Sequence, residues 1–288
     1  VKAETFEIDR LVQVAKEQDI EIRVLAPEQF ELIVTRDDRK SVLVDGEVLP
    51  LPDFVLPRMG AGTNYFGLAL IRHLERLGVR TFNSSQSIDT VKDKLYTLQI
   101  LAEHNLPVPK TILIRSKVDV ELVEKHLGFP AVVKTISGSQ GSGVFLAETK
   151  SKFIDLVEMI NAYKENATMI IQEFVESSRG MDLRVITIGG RAVAAMKRTS
   201  GNDSFKANYS RGGFVEPFEM NPEVEWLALE TSRLLNLDIA GIDLLFDGEH
   251  YKICEANSSP GFEGLESCCN VNIADEIYNF LRVRLNRF

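Results

Sequence analysis

Apolar residues recur along this chain in two periods, and the two take turns. Near the start, Phe6, Leu11 and Val14 fall on one side of a helix. Short apolar runs at 20–25, 41–44 and 54–56 read as strands, 65–77 reads as a helix closed by Gly78, and 80–82 reads as another strand. The alternation predicts a small α/β unit over residues 1–88. Such a unit is expected to open on a strand, and here the helical pattern comes first, so that strand is expected ahead of Val1.

From Ser87 the spacing of Val91, Leu95, Leu98 and Leu101 predicts one helix that stops before Pro107 and Pro109. Strands are predicted at 111–114, 131–135 and 143–147, with helices at 120–127 and 152–163, giving a second unit over 89–168. The remainder, 169–288, carries strand patterns at 169–174, 183–188, 192–197 and 214–218, then a helix at 223–235. Residues 239–246 and 251–256 flank Asp247-Gly248-Glu249-His250, a turn signal that predicts an antiparallel hairpin before a last helix at 273–285. The fold class is mixed α/β (α+β).

Composition narrows the function. With 44% hydrophobic and 26% charged residues over 288 positions, the chain can bury more than one core and does not read as disordered. No apolar run reaches the roughly 20 residues of a membrane span, so no integral membrane protein is expected. Asp plus Glu total 42 against 33 Lys plus Arg, a net charge of -9, which offers no global attraction to nucleic acid. An anionic ligand therefore needs a local basic pocket. The three cysteines, Cys254, Cys268 and Cys269, fit neither a disulfide framework nor zinc spacing, and predict a reducing, cytoplasmic setting.

The chemistry-bearing residues gather late in the chain. Asp243 lies on one hairpin strand, while Glu255 and Asn257 share a face of the other, so three oxygen ligands converge in a way that suits Mg²⁺-nucleotide. Strand-end acids are also commonly solvated. What favours a cation is that Asp243 and Glu255 stand among apolar neighbours, where an unpaired carboxylate is costly. Cys254, between them in sequence, reads as a small core residue.

Lys134 ends an apolar strand and precedes Gly138-Ser139-Gln140-Gly141-Ser142-Gly143, a run whose backbone N–H groups could approach phosphate oxygens. It matches neither a Walker A loop nor the dinucleotide-binding glycine spacing, and alone reads more readily as a hairpin turn. Lys94, Arg184, Arg198, and Lys206 with Asn208 in the polar loop 199–213 could balance a triphosphate and a carboxylate, although lone basic residues are usually solvated. Gln172-Glu173-Phe174-Val175 could meet an adenosine with its extended backbone and an acid, or be a plain strand terminus. Arg58 and Arg211 are further candidate carboxylate binders against a default of surface arginine.

In order and approximate spacing, Lys94, Lys134 with its loop, 172–175, Asp182-Leu183-Arg184, Gly241-Ile242-Asp243 and the Glu-Ala-Asn-Ser-Ser-Pro-Gly-Phe-Glu-Gly run at 255–264 resemble the ATP-grasp fold. More narrowly, the chain is similar to the RimK family of ATP-dependent carboxylate-amine ligases. The resemblance implies an N-terminal Rossmann-like pre-ATP-grasp domain over 1–88, a central subdomain over 89–168 and a C-terminal, metal-bearing subdomain over 169–288. It implies that Lys94, Lys134, Gly138, Ser139, Gln140, Gly141 and Lys206 serve the phosphates, and that Gln172, Glu173, Phe174, Val175 and Asp182 line the adenosine pocket. Asp243, Glu255 and Asn257 would hold Mg²⁺ or Mn²⁺, as two ions, with Arg184, Arg198 and Asn208 near the transferred phosphate. Lys206 stands where some relatives have arginine, which keeps the charge but loses a bidentate contact.

The activity so implied is ADP-forming ligation of an amino acid, L-glutamate, through an acyl phosphate to the C-terminal carboxylate of a ribosomal or other protein or peptide. A cytoplasmic homo-oligomer, a tetramer by family likeness, is part of the same expectation. Two alternatives stay open: a ligase making a small glutamyl dipeptide or glutamylated coenzyme, and a non-catalytic ATP-binding regulatory protein.

Overall fold

In the computed structural model the described residues are 5–36, 40–59, 65–115, 118–135, 143–163, 168–201, 205 and 213–286. The N-terminal part holds α1 (Phe6–Glu17), β1 (Phe30–Leu32), β2 (Val42–Val44), β3 (Glu47–Val48), β4 (Phe54–Val55), α2 (Tyr65–Arg76) and β5 (Arg80–Thr81). β4 and β5 pair in parallel across α2, while β1, β2 and β3 form an antiparallel sheet. The expected strand at 20–25 is not one. Its apolar side chains Ile20 and Ile22 pack onto the core beside α1, but among the described residues no neighbouring strand offers it hydrogen bonds.

The single helix expected from Ser87 is two: α3 (Ser85–Lys92) and α4 (Lys94–Glu103). Asp93 separates them because its carboxylate accepts from the Leu95 and Tyr96 N–H groups at 3.0 Å each, which makes it an N-cap and stops the preceding helix. Lys94 thus occupies the first position of α4.

Next come β6 (Thr111–Arg115), α5 (Val120–His126), β7 (Ala131–Thr135), β8 (Val144–Ala147), α6 (Lys150–Tyr163) and β9 (Thr168–Glu173). The strands form an antiparallel sheet in the order β6-β9-β7-β8. Ala131, Val133, Met169 and Ile171 point to one face, where Val123 of α5 and Phe153 and Val157 of α6 cover them. Period-two alternation leaves Val132, Lys134, Ile170 and Gln172 on the other face.

The last part holds β10 (Met181–Ile188), β11 (Arg191–Thr199), β12 (Phe214–Pro217), α7 (Pro222–Leu234), β13 (Ile239–Asp247), β14 (His250–Asn257), α8 (Glu263–Cys268) and α9 (Ile273–Leu285). Its sheet is antiparallel, in the order β12-β11-β10-β13-β14, and the expected hairpin is β13–β14. α8 has no counterpart in the sequence reading, because six residues are too few to display a helical period.

Both faces of this five-stranded sheet are used. Leu183, Val185, Ala240, Ile242, Leu244 and Ile253 face a core closed by α7 and by Leu101 of α4. On the opposite face, Ile186, Ile188, Ala194, Met196 and Ile239 meet α1, α8 and α9. At roughly 1.5–3 kcal/mol for each fully buried large aliphatic side chain, these two layers are what fix the sheet. Among the described residues no helix is long and apolar enough to cross a membrane.

Candidate active site

The face of the five-stranded sheet that carries Ile186, Ile188 and Ile239 at one end is charged at the other. Asp182 and Arg184 share strand parity with Ile186 and Ile188 on β10, Arg198 with Ala194 and Met196 on β11, and Asp243 with Ile239 on β13. The paired register sets Asp182 opposite Arg198 and Arg184 opposite Asp243. Four charges therefore meet side by side.

They form one network. Arg184 donates from Nε to Asp243 Oδ1 at 2.8 Å and from Nη2 to Oδ2 at 2.7 Å. Arg198 donates from Nε to Asp182 Oδ1 at 2.6 Å and from Nη2 to Oδ2 at 2.8 Å, and its Nη2 also lies 3.0 Å from Asp243 Oδ2. Arg198 is 3% exposed and Asp243 6%. Burial works to raise the Asp243 carboxyl, and the charges and hydrogen bonds of Arg184 and Arg198 outweigh it, holding the group at about 2. For Asp182, burial wins over Arg198 and pushes the carboxyl up. Arg198 is held above the ordinary arginine value, because Asp243 and Asp182 more than offset its burial.

Glu255 and Asn257 reach the same face by a local irregularity. Asp243 pairs with Glu255 and Gly241 with Asn257, but Leu244 pairs with Ile253, so Cys254 is an extra residue, a β-bulge. Tyr251 and Ile253 before the bulge and Ala256 after it all join the core under α7. In a regular strand of this same sequence, with Cys254 paired rather than bulged, Glu255 would follow Ile253 into that core. Burial pushes the Cys254 thiol up, as suits an inert thiol and the sequence reading of a non-nucleophile.

Glu255 faces α4, and Lys94 Nζ lies 3.2 Å from its Oε1. Lys94, Leu98, Lys134, Gln172, Cys254 and Glu255 are among the residues lining a pocket of about 420 Å³, open to solvent, between the free face of the four-stranded sheet and the edge strand β14. Two lysines at its wall and an acid beside them give the local positive character that an acidic protein needs to hold an anion.

Donor chemistry decides whether these residues fit Mg²⁺. Asp243, Glu255 and Asn257 offer hard oxygen donors on one face, and the Asn257 amide N–H₂ donates to the Gly241 carbonyl at 3.3 Å, leaving its oxygen available. Among the described residues no group of three His, Cys, Asp or Glu side chains is placed to hold a metal unaided. The set thus fits an ion that keeps water and takes further oxygens from phosphate, as Mg²⁺ does.

The adenosine-lining candidates are placed less uniformly. Gln172 is buried and donates to Thr111 Oγ1 at 2.9 Å. Glu173 accepts from Lys252 Nζ at 2.7 Å and from the Lys110 N–H at 3.0 Å. Phe174 lies under the Arg179 guanidinium, 4.6 Å from its ring centre, and Val175 is buried. Gly138, Ser139, Gln140, Gly141, Lys206 and Asn208 lie outside the described residues, as does Arg211.

The segment after Asn257 is held by three side chains of the N-terminal part. Asn83 Nδ2 donates to the Ser258 carbonyl at 2.8 Å, Arg58 Nη2 to the Pro260 carbonyl at 2.7 Å, and Glu7 Oε1 accepts from the Phe262 N–H at 3.1 Å. Burial pulls Arg58 below the usual arginine value, opposed by Glu7. The sequence reading flagged Arg58 as a carboxylate binder, but had no signal for Glu7 or Asn83, whose partners lie 255 and 175 positions away.

A family profile described as RimK-like ATP-grasp domain matches residues 91–281, and one described as RimK PreATP-grasp domain matches residues 1–88. A "Probable alpha-L-glutamate ligase" of Legionella pneumophila (strain Corby) is 36% identical over 274 residues, covering 94% of this chain and 90% of that protein. Its namesake from Hydrogenovibrio crunogenus (strain DSM 25203 / XCL-2) is 35% identical over 280 residues, covering 97% and 92%. Among solved structures, the ATP-grasp ligase PsnB complexed with a phosphomimetic variant of minimal precursor, Mg and ADP is similar in fold, with a TM-score of 0.76 at 20% identity over 98% of this chain and 96% of that one. A RimK domain protein ATP-grasp from Sphaerobacter thermophilus DSM 20745 gives 0.74 at 17% identity, covering 97% of each chain.

Proposed function

Because this chain belongs to the RimK-like ATP-grasp family, and is on that footing an ATP-dependent ligase, we propose that it joins L-glutamate to a carboxylate acceptor, releasing ADP and phosphate. The acceptor in this reading is the C-terminal carboxylate of a protein or peptide, the protein works in the cytoplasm, and residues 1–88, 89–168 and 169–288 are its three parts. The observation that carries the reading is the convergence of Asp243 and Glu255 with Lys94, Arg184 and Arg198 beside the lysine-walled pocket.

The acceptor carboxylate attacks the γ-phosphorus of ATP, forming an acyl phosphate and ADP; the amine of the incoming amino acid then attacks the acyl carbon, the amide forms and phosphate leaves. This chemistry needs no protein nucleophile, only positioning and charge stabilisation. Mg²⁺, held by Asp243, Glu255 and Asn257, would supply charge neutralisation at the phosphates. Lys94 and Lys134, with Gly138, Ser139, Gln140 and Gly141, would bind those phosphates. Gln172, Glu173, Phe174 and Val175 would border the nucleoside, and Arg184 with Arg198 would face the transferred group. Asp182 fixes the Arg198 guanidinium through two hydrogen bonds, which orients it. Lys206 and Asn208 would complete the phosphate end.

The deciding measurement is ADP release with Mg²⁺-ATP across single amino acids, then across glutamate paired with acidic acceptors, with product masses read from the same reactions. Glutamate-dependent ADP formation with one glutamyl residue added to a peptide C-terminus is the expected result. The same addition on a small acid or coenzyme would move the acceptor to that class. Saturable ATP binding without turnover in every pairing would instead favour a regulatory binder.

A further inference from the structure

Each carboxylate of the metal-binding set already has a cation of this chain against it. Lys94 contacts Glu255 at 3.2 Å, Arg184 takes both oxygens of Asp243, and Arg198 adds a third contact at 3.0 Å. A divalent ion arriving alone would have to enter among these positive groups, displace them, and leave them without counter-charge in a partly buried site. A metal–nucleotide complex brings both halves of an exchange: the dication takes the carboxylates while phosphate oxygens take the cations.

The two arginines are not equivalent in this respect. Arg198 is nearly inaccessible and is tied to Asp182 by two hydrogen bonds, so it stays anchored when Asp243 changes partner. Arg184 is more exposed, and among the described residues its hydrogen bonds go to Asp243 alone. Lys94 is similar: it stands at the first position of α4, lines the pocket, and its ion pair is a single contact with Glu255.

We propose that Lys94 and Arg184 are internal counter-ions that keep Glu255 and Asp243 closed to a bare divalent cation and move onto the phosphates when metal and nucleotide bind together. This rests on the reading of Asp243, Glu255 and Asn257 as the metal ligands. It makes metal and nucleotide affinity mutually dependent, each raising the other by the same factor. It also sets the order of events, since the groups that stabilise the transferring phosphate are released only once the metal has replaced them.

The test uses Mn²⁺ as the probe, with free ion read by electron paramagnetic resonance on the full chain, with and without ADP. Lys94→Gln and Arg184→Gln are expected to bind Mn²⁺ without nucleotide about fivefold or more tighter than the parent, and to bind ADP more weakly. Lys94→Arg keeps the charge and is expected to leave bare Mn²⁺ affinity at the parent level. Unchanged or weaker Mn²⁺ binding in Lys94→Gln overturns the proposal, and this partly exposed position decides it even if Arg184→Gln fails to fold. Glu255→Gln separates the two levels of argument. If it leaves Mn²⁺ uptake with ADP intact, the metal-site reading fails; if it abolishes that uptake while the charge-removing variants gain nothing, only the exchange fails.

Discussion

Asn83 donates to the carbonyl of Ser258 at 2.8 Å, which ties the N-terminal part of the chain to the residue that follows the metal-ligand candidate Asn257. The same side chain donates to the Ile239 carbonyl at 2.7 Å and accepts from the Asp238 and Ile239 N–H groups at 2.6 and 2.9 Å. It is fully buried. Asn83→Ala would leave several buried backbone groups without partners, and is expected to cost about 3 kcal/mol. Urea unfolding of the variant beside the parent checks this; a loss below the usual scatter of surface substitutions would count against the clamp.

Gly241 has no room for a side chain. A Cβ there would stand 2.6 Å from Pro260 Cβ and 3.8 Å from Arg184 Nε. Since the Pro260 ring cannot swing aside as a flexible chain would, Gly241→Ala is expected to push the 258–262 segment away and disturb Arg184. A destabilisation of about 1–3 kcal/mol should accompany a drop in turnover larger than the drop in ATP affinity. Steady-state kinetics with a separate nucleotide-binding titration would show whether the two effects part in that direction.

Arg198 neutralises two acids from one buried position. Arg198→Met would leave Asp182 and Asp243 close together with Arg184 as their remaining arginine partner, and is expected to cost about 3–5 kcal/mol. Raising the pH should not restore the variant, whereas acidification should narrow the gap as a carboxyl takes up a proton. Thermal denaturation at several pH values would test this, and equal gaps at all of them would contradict it.

The acid limb of stability should carry the mark of Asp243. Its folded value of about 2 lies below the ordinary 3.8, so its contribution is present in full above the ordinary value and is lost as the pH falls from about 4 to about 2. A shift of that size corresponds to roughly 2 kcal/mol. Asp182 works in the opposite sense, since its carboxyl is pushed up, and its charged form opposes folding. Asp243→Asn is therefore expected to flatten the loss of stability between pH 4 and pH 2 while leaving the slope from pH 5 to pH 8 unchanged. Chemical denaturation across that range is the measurement.

The sequence made the elements of the two ATP-grasp sheets legible because each strand is a short apolar run bounded by turns, and it brought Asp243, Glu255 and Asn257 forward as candidates because their spacing on a hairpin is local. The ion pairs were not legible. Nothing in one dimension says that Lys94 of α4 reaches Glu255 of β14, or that Arg198 bridges Asp182 and Asp243, since those distances depend on how strands register across the sheet. The strand expected at 20–25 shows the converse limit: alternation proposes a strand, but only a partner edge makes one. Asp93 was readable as a cap, yet the apolar spacing on both sides of it suggested continuity, and tertiary packing kept both pieces helical. The phosphate-loop candidates Gly138, Ser139, Gln140 and Gly141, with Lys206 and Asn208, lie outside the described residues.

The extra residue at Cys254 gives β14 two reading frames. Upstream of it, odd-numbered positions are the inward letters; downstream, even-numbered ones are, and the site is written entirely in the second frame. Regular pairing straight through position 254, with no bulge, would not be a local lesion, because it would send a carboxylate and an amide into oil and bring Ala256 out in their place. Replacing the residue by another small one keeps the frame. What position 254 contributes to the chemistry is chiefly the change of frame, and its side-chain identity is expected to matter less than the bulge itself.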